Sequence, residues 1–197
     1  MKTIVLLLIN LILSSTANAI PIEFTHTGIG SGSIGNTNFL NKNITFTAFG
    51  DTEDRIKFDG HGFAIQHLTA KVKIDGLGIF DFISKTRTFV NNNSAIVGFS
   101  RSVDLGHSGT DLYNGPSDSL FNTWDMLSST NLISGSARFL QWGVDIITNS
   151  GVLLFENVTS STASFKATIK HISEPPFWPL MMVGMAGLLL RRTFVAN

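Results

Sequence analysis

The sequence predicts a mainly β protein, an antiparallel β-sandwich or jelly roll, over residues 20–172. Apolar and polar residues alternate with period two over residues 43–49, 70–75 and 163–170, the pattern of strands that bury one face. Glycine, asparagine and aspartate interrupt the pattern at intervals of about 8–12 residues, a spacing typical of sandwiches and jelly rolls. We therefore expect one β domain with short connections.

Two further elements can be placed by their local chemistry. Residues 137–147 and 151–158 are predicted to be strands joined by a hairpin loop at 149–151, where Gly151 can adopt a positive φ. A single helix is predicted over residues 116–128. The apolar residues that would share one face of it are Leu120, Trp124 and Leu127.

The N-terminal residues have the pattern of a cleaved signal peptide. Lys2 supplies a positive charge, and residues 4–13 are apolar apart from Asn10. Ala17 and Ala19 provide the small residues of a cleavage site. An apolar run this short does not reach the roughly 20 residues of a membrane span, so we expect residues 1–19 to be removed on export.

The C-terminal residues predict a membrane anchor. The segment opens with Ser173, Glu174, Pro175 and Pro176. An apolar run over residues 177–190 follows, and Arg191 and Arg192 end it. Arginines beside an apolar segment stay on the cytoplasmic side and can snorkel to the interface, which favours a single membrane helix over about 177–192.

This order of features resembles the PEP-CTERM sorting tail of bacterial surface proteins, with Ser173 in the place of the first proline and Glu174 and Pro175 retained. The resemblance covers residues 173–192. It implies that a membrane-embedded exosortase is a partner that processes the tail. It also implies a Gram-negative bacterium, export to the inner membrane and then the cell surface or matrix, and association with exopolysaccharide or biofilm.

The charge and composition of the remaining domain exclude several classes of function. Of the 14 basic residues, three lie in the terminal segments, and of the 14 acidic residues one does, which leaves the domain near −2. Nucleic-acid binding needs a basic patch, so we exclude nucleic acid as a partner. The chain has no cysteine, so disulfides, thiol chemistry and cysteine-ligated metals are excluded as well.

Three groups of polar residues are candidates for metal binding or acid–base chemistry. An acidic group with oxygen ligands suited to Ca²⁺ comprises Asp51, Glu53, Asp54 and Asp59. A second group comprises Asp104, His107 and Asp111. His61 and His67 stand at odd positions of one strand and are expected to share a face. The acidic group could hold Ca²⁺, and Asp104, His107 and Asp111 could bind zinc or form an acid–base pair. Solvated turns explain each pattern more simply, so we predict no catalytic residue and no cofactor, with Ca²⁺ as the alternative.

The function predicted for the domain is structural, in a surface or matrix protein. One alternative is a carbohydrate-binding module in which aromatic rings stack on sugars, with the candidates Tyr113, Trp124 and Trp142. A second alternative is a glycan-active hydrolase on a jelly roll, which needs two carboxylates at about 5–9.5 Å from each other. The sequence has no motif for that pair, so we do not expect an enzyme.

Overall fold

The computed structural model describes residues 20–58, 60–102, 111–140, 145–156 and 158–170, which form eleven β-strands and a short 3₁₀ helix. The strands are β1 (Pro21–Ile34), β2 (Thr37–Phe58), β3 (Gly62–Ile74), β4 (Gly78–Asp81), β5 (Thr86–Asn91), β6 (Ile96–Arg101), β7 (Asp111–Ser117), β8 (Ile133–Phe139), β9 (Ile146–Thr148), β10 (Gly151–Phe155) and β11 (Val158–Ile169). The 3₁₀ helix, Ser119–Asn122, lies between β7 and β8. The predicted signal peptide and the predicted tail lie outside the described residues.

Eight of these strands close into an antiparallel barrel. β1 pairs with β2 on one side and with β11 on the other, where Ile22 faces Ile169 and Thr27 faces Ser164. The circuit runs β1-β2-β3-β5-β6-β7-β8-β11 and returns to β1. The predicted mainly β, antiparallel class is confirmed, but the strands form this barrel where a sandwich or jelly roll was expected. Period-two alternation buries one face of every strand in either architecture, so it does not distinguish them.

The barrel changes its strand number along its axis. Beyond a bulge between Gly30 and Gly32, β1 exchanges β11 for β10. β3 likewise exchanges β5 for β4, and a bridge between Phe82 and Thr148 joins the end of β4 to β9. A ring of six strands, β4-β3-β2-β1-β10-β9, therefore continues the ring of eight. We call the eight-stranded part the wide end and the six-stranded part the narrow end.

The wide end is filled by a cluster of apolar side chains and covered by the segment between β7 and β8. Phe121, Trp124 and Met126 of that segment are buried against the strands. The predicted helix over 116–128 is wrong, because β7 runs to Ser117 and only residues 119–122 are helical. The barrel members of the cluster are Ile22, Phe24, Ile65, Val90, Val97, Ile133, Phe165 and Ala167.

The narrow end and the middle of the barrel hold a second cluster, which is dominated by aromatic rings. Phe46 stacks on Phe99 with ring centroids 4.7 Å apart, and its edge meets Phe155 at 5.9 Å. Phe139 lies 4.8 Å from Phe155. Each such ring contributes about 1.5–3 kcal/mol by leaving water, so this cluster is a main source of stability.

The hairpin predicted around residues 149–151 is confirmed, but the bounds of its strands are not. The strand predicted over 137–147 is wrong, because β8 ends at Phe139 and β9 begins at Ile146, and the strand predicted over 151–158 ends at Phe155. β9 and β10 pair antiparallel, and Thr148 faces Gly151 across a two-residue turn. Gly151 has a φ of 108°, the left-handed region that favours glycine. The turn packs closely against the β1–β2 turn, since Gly35 donates its N–H to the Val152 carbonyl at 2.9 Å. The two hairpins therefore form one rigid tip.

Candidate functional site

A surface groove crosses three strands at the narrow end, where the pairing partner of β1 changes from β11 to β10. Its volume is about 420 Å³. It is lined by Gly32, Ser33, Asn38, Phe39, Leu40, Leu154, Phe155 and Glu156. We call it the tip groove. It lies on the outer surface, whereas the barrel interior is occupied by the two side-chain clusters.

Strand register builds the floor and one wall of the tip groove. Ser33 of β1 lies opposite Asn38 of β2 and opposite Leu154 of β10, so these three side chains form a row on the outer face. Gly32 lets the backbones of β1 and β10 approach, because a Cβ there would collide with the Leu154 carbonyl oxygen. Phe39 and Phe155 are buried beneath, with ring centroids 6.0 Å apart. The groove thus rests on the core.

A bulge in β2 builds the other wall. Asn41 adopts a φ of +49°, a left-handed conformation that few residues other than glycine and asparagine tolerate. Its N–H donates to the Ser31 hydroxyl at 3.0 Å, which holds the bulge in place. The bulge leaves Leu40 68% exposed at the groove edge. Bulges that aim a side chain in this way are common beside binding sites.

The polar groups of the tip groove are a hydroxyl, an amide and a carboxylate. Ser33, Asn38 and Glu156 supply them, and Glu156 is the sole charged residue of the lining. The Glu156 backbone is fixed, because its N–H donates to the Ser31 carbonyl at 2.9 Å. With Leu40 and Leu154 beside these groups, the groove can take hydrogen bonds and apolar contacts from one ligand.

A second polar feature lies inside the barrel, between the two apolar clusters. The Thr88 hydroxyl is within hydrogen-bond distance of two imidazoles, 3.2 Å from His26 Nε2 and 3.0 Å from His67 Nε2. His67 Nδ1 lies 2.8 Å from the Thr86 hydroxyl. We call these four residues the histidine belt. His26, Thr86 and Thr88 are almost wholly buried, and His67 is 8% exposed.

Burial keeps both histidines of the belt neutral. It lowers the pKa of His26 to about 3. It also lowers the pKa of His67 well below its usual value, and the nearby His26 adds to this effect. A charged imidazole in apolar surroundings loses its hydration, which is the physical cause of both shifts. Both rings are buried and lie within hydrogen-bond distance of hydroxyls on β5, so the belt joins β1 and β3 to β5.

The predicted pairing of His61 with His67 is wrong. His67 is buried in the belt, whereas His61 is exposed in the turn before β3, with its Nδ1 3.0 Å from Asn93 Nδ2. The partner that sequence reasoning missed is His26. Its signal was its place in β1, where it continues the period-two series of Ile22 and Phe24.

The acidic candidates are spread along β2 and its end. The Asp51 carboxylate accepts hydrogen bonds from the backbone N–H groups of Ile20 at 3.2 Å and Glu53 at 3.0 Å. Glu53 and Asp54 are exposed, and Asp59 lies outside the described residues. Within the described ranges, no group of three or more histidines and carboxylates is arranged to hold a metal ion.

Asp111 is the one described member of the second predicted group, because Asp104 and His107 lie outside the described residues. Its carboxylate accepts a hydrogen bond from the Asn114 amide at 3.1 Å. Burial raises the pKa of Asp111, while the Asn114 bond and the charge of Arg87 oppose that rise. Asp111 thus interacts with residues of β5 and β7 and does not line the tip groove.

Two of the three aromatic residues predicted to stack on sugars are buried. Tyr113 lies in the core and donates its hydroxyl to the Thr27 carbonyl at 2.6 Å. Trp124 is 4% exposed and donates Nε1–H to the Ser128 carbonyl. A buried ring has no face for a sugar, so the stacking prediction fails for both. Trp142 lies outside the described residues.

The cleavage and sorting residues also lie outside the described residues. They are Ala17, Ala19, Ser173, Glu174, Pro175, Pro176, Arg191 and Arg192. In the described ranges, no helix has the length and apolar character that a membrane crossing requires. No protein-family model, no curated protein and no solved structure matches the chain.

Proposed function

We propose that the chain is an exported bacterial surface protein whose barrel serves as a structural module, and that its C-terminal tail holds and sorts it. The observation that carries the structural role is the packed interior, where aromatic and aliphatic side chains occupy both ends of the barrel. A barrel filled in this way resists deformation, which suits a load-bearing part of a matrix.

The positions of the two chain ends support a tethered orientation. The Lys170 N–H donates to the Pro21 carbonyl at 2.8 Å, so the domain begins and ends at the wide end. The proposed tail continues directly from there. β1 runs from Pro21 to Ile34, roughly 40 Å at about 3.3 Å per residue, and so separates the tip from the tether. The wide end then faces the membrane and the tip groove faces outward.

A hydrolase receives no support from the tip groove. Retaining and inverting glycosidases need two carboxyl groups about 5–9.5 Å apart. Glu156 is the single carboxylate among the residues that line the groove. The non-enzymatic proposal is therefore preferred to a glycan-active enzyme.

Membrane fractionation of the full chain in a Gram-negative host without an exosortase tests the proposed anchoring. We expect the wild-type protein in the membrane fraction, and release when Leu188, Leu189 and Leu190 are replaced by aspartate. The substitution cuts the apolar run from residues 177–190 to residues 177–187, which is far shorter than the roughly 20 residues of a span. Charges within the membrane add a cost of up to about 2.5–3.5 kcal/mol each on insertion scales, so anchoring should be lost.

The matched control places aspartate at Leu132, which is exposed on the barrel. That variant should remain in the membrane fraction. Glu174→Ala separates anchoring from processing. In a host with an exosortase, mass spectrometry should show loss of the tail from the wild type, whereas Glu174→Ala should keep its tail and stay membrane-bound. Membrane retention of the triple variant would refute the proposal.

A further inference from the structure

We propose that the tip groove binds an uncharged oligosaccharide, and that Leu40, Leu154, Ser33, Asn38 and Glu156 form the contact surface. The groove's volume of about 420 Å³ lies within the range of about 300–1,000 Å³ found for small-molecule sites. This role goes beyond a structural module, because it gives the barrel a specific ligand.

The chemistry of the lining matches that of a sugar ring. A pyranose has apolar C–H faces and a rim of hydroxyl groups that both donate and accept hydrogen bonds. Leu40 and Leu154 are exposed on the two walls and offer apolar contact to the ring faces. Ser33 and Asn38 are paired across β1 and β2, so their polar groups lie side by side for adjacent hydroxyls.

The charge of the groove selects an uncharged ligand. Glu156 gives the lining one negative charge, and neither lysine nor arginine is among the lining residues. A uronate or a phosphorylated glycan would bring like charge to that carboxylate without a compensating cation. A neutral sugar avoids this repulsion and can donate hydroxyl hydrogens to the carboxylate, which makes a charge-assisted hydrogen bond.

The backbone of the groove is prepared for binding. Leu40 is presented by a bulge that depends on the left-handed Asn41 and on the Asn41–Ser31 hydrogen bond. On the other wall, the absence of a side chain at Gly32 allows the backbones of β1 and β10 to pair closely. Strained or irregular backbone held by its surroundings is concentrated at ligand sites, where it spares the cost of ordering on binding. The bulge thus holds the exposed Leu40 at the groove edge before any ligand arrives.

Calorimetric titration of the full chain in detergent micelles provides the test. The probes are hexasaccharides of neutral β-linked glucose, neutral galactose and neutral mannose, with a hexasaccharide of uronic acid as the charged comparison. We expect at least one neutral probe to bind with a Kd below about 1 mM, and the uronate to bind at least tenfold more weakly.

Two variants in the groove and one matched control locate the binding. Leu40→Ser and Asn38→Ala should each weaken the neutral probe by about fivefold to tenfold. Leu132→Ser should change nothing, because Leu132 is similarly exposed, at 64%, but lies beside β8 at the wide end. Equal Tm values for all three variants would show that the barrel itself is unchanged.

Three results would overturn the proposal. The first is no heat from any neutral probe up to about 5 mM, a range in which weak sugar sites are detectable. The second is binding that Leu40→Ser and Asn38→Ala leave unaltered. The third is self-association, seen by sedimentation, that Leu40→Ser abolishes, because the groove would then be a contact between two copies of this chain. Membrane fractionation does not depend on the groove, so failure here leaves the sorting proposal standing.

Discussion

The two ends of the barrel are closed by different means. At the wide end a separate segment covers the strands, and its buried residues Phe121, Trp124 and Met126 complete the core. At the narrow end the strands close directly on one another through the Phe82–Thr148 bridge. The wide end is therefore closed by side chains from a separate segment, whereas the narrow end is closed by strand pairing.

This difference explains where a surface site can form. The cover at the wide end leaves Trp124 4% exposed, so its aromatic rings serve the core. At the narrow end no cover is present among the described residues, and outer-facing Leu40 and Leu154 stay accessible. Both ends therefore have a packed core, and the accessible groove lies on the outer surface at the narrow end.

The largest expected effect is on the aromatic cluster that extends to the narrow end. Phe46→Ala removes a ring that packs against Phe99, Phe139 and Phe155. We expect a loss of about 4 kcal/mol in the free energy of unfolding, because a cavity forms among rings that cannot collapse into it. Urea unfolding followed by circular dichroism measures the loss.

Phe121→Ala is the matched substitution in the cover of the wide end. Phe121 contacts Trp124 and Phe165 with ring centroids 5.8 and 5.7 Å apart. The cover belongs to an irregular segment that can adjust, so we expect a smaller loss of about 3 kcal/mol. A larger loss for Phe121→Ala than for Phe46→Ala would reverse the comparison and make the cover the main source of stability.

The histidine belt between the two ends gives the next effect, a loss of stability in acid. The folded state holds His26 and His67 neutral with lowered pKa values, whereas the unfolded chain takes up protons near pH 6.5. The two histidines therefore take up protons when the protein unfolds. Their contribution to the free energy of unfolding is fully present above pH 6.5 and falls as the pH decreases toward about 3. Each histidine contributes a slope of up to about 1.4 kcal/mol per pH unit.

Substitution separates this slope from the titration of carboxylates. Tm measured between pH 7 and 4.5 should fall less steeply for His26→Phe than for the wild type, since one of the two titrating rings is gone. His61→Gln is the control, because His61 is exposed and outside the belt. If the wild type and His26→Phe lose stability in parallel, the belt does not govern the acid response.

The strands were predictable from the sequence because alternation is a local signal. Residues 43–49 fall in β2, and residues 70–75 and 163–170 fall in β3 and β11 apart from the last residue of each range. Closure was not predictable in this way, since it depends on β1 pairing with strands far apart in the chain. Most of the candidate site escaped prediction for the same reason.

Particular residues show the limits of local reasoning. His26 and His67 meet only because β1 and β3 place them around Thr88. Tyr113 and Trp124 resemble ligand-binding aromatics in the sequence. Barrel closure buries Tyr113, and Trp124 is buried because it belongs to the segment that packs against the wide end. The bulge at Asn41 has no turn signal comparable to that of Gly151, because asparagine is also common in ordinary strand ends and loops.

The smallest expected effect is at the tip groove, where Leu40→Ser should change the free energy of unfolding by less than about 0.5 kcal/mol. Leu40 is 68% exposed, so its removal opens no cavity and forfeits little burial.

Asn41→Gly should be equally mild, because glycine adopts the left-handed φ of +49° without strain. Asn41→Val should cost more, about 1–2 kcal/mol, since a β-branched residue is disfavoured there. Urea unfolding of the three variants measures these changes in the free energy of unfolding and ranks them. If Leu40→Ser proved as costly as Asn41→Val, Leu40 would be a packing residue, and its exposure would no longer distinguish the narrow end from the wide end.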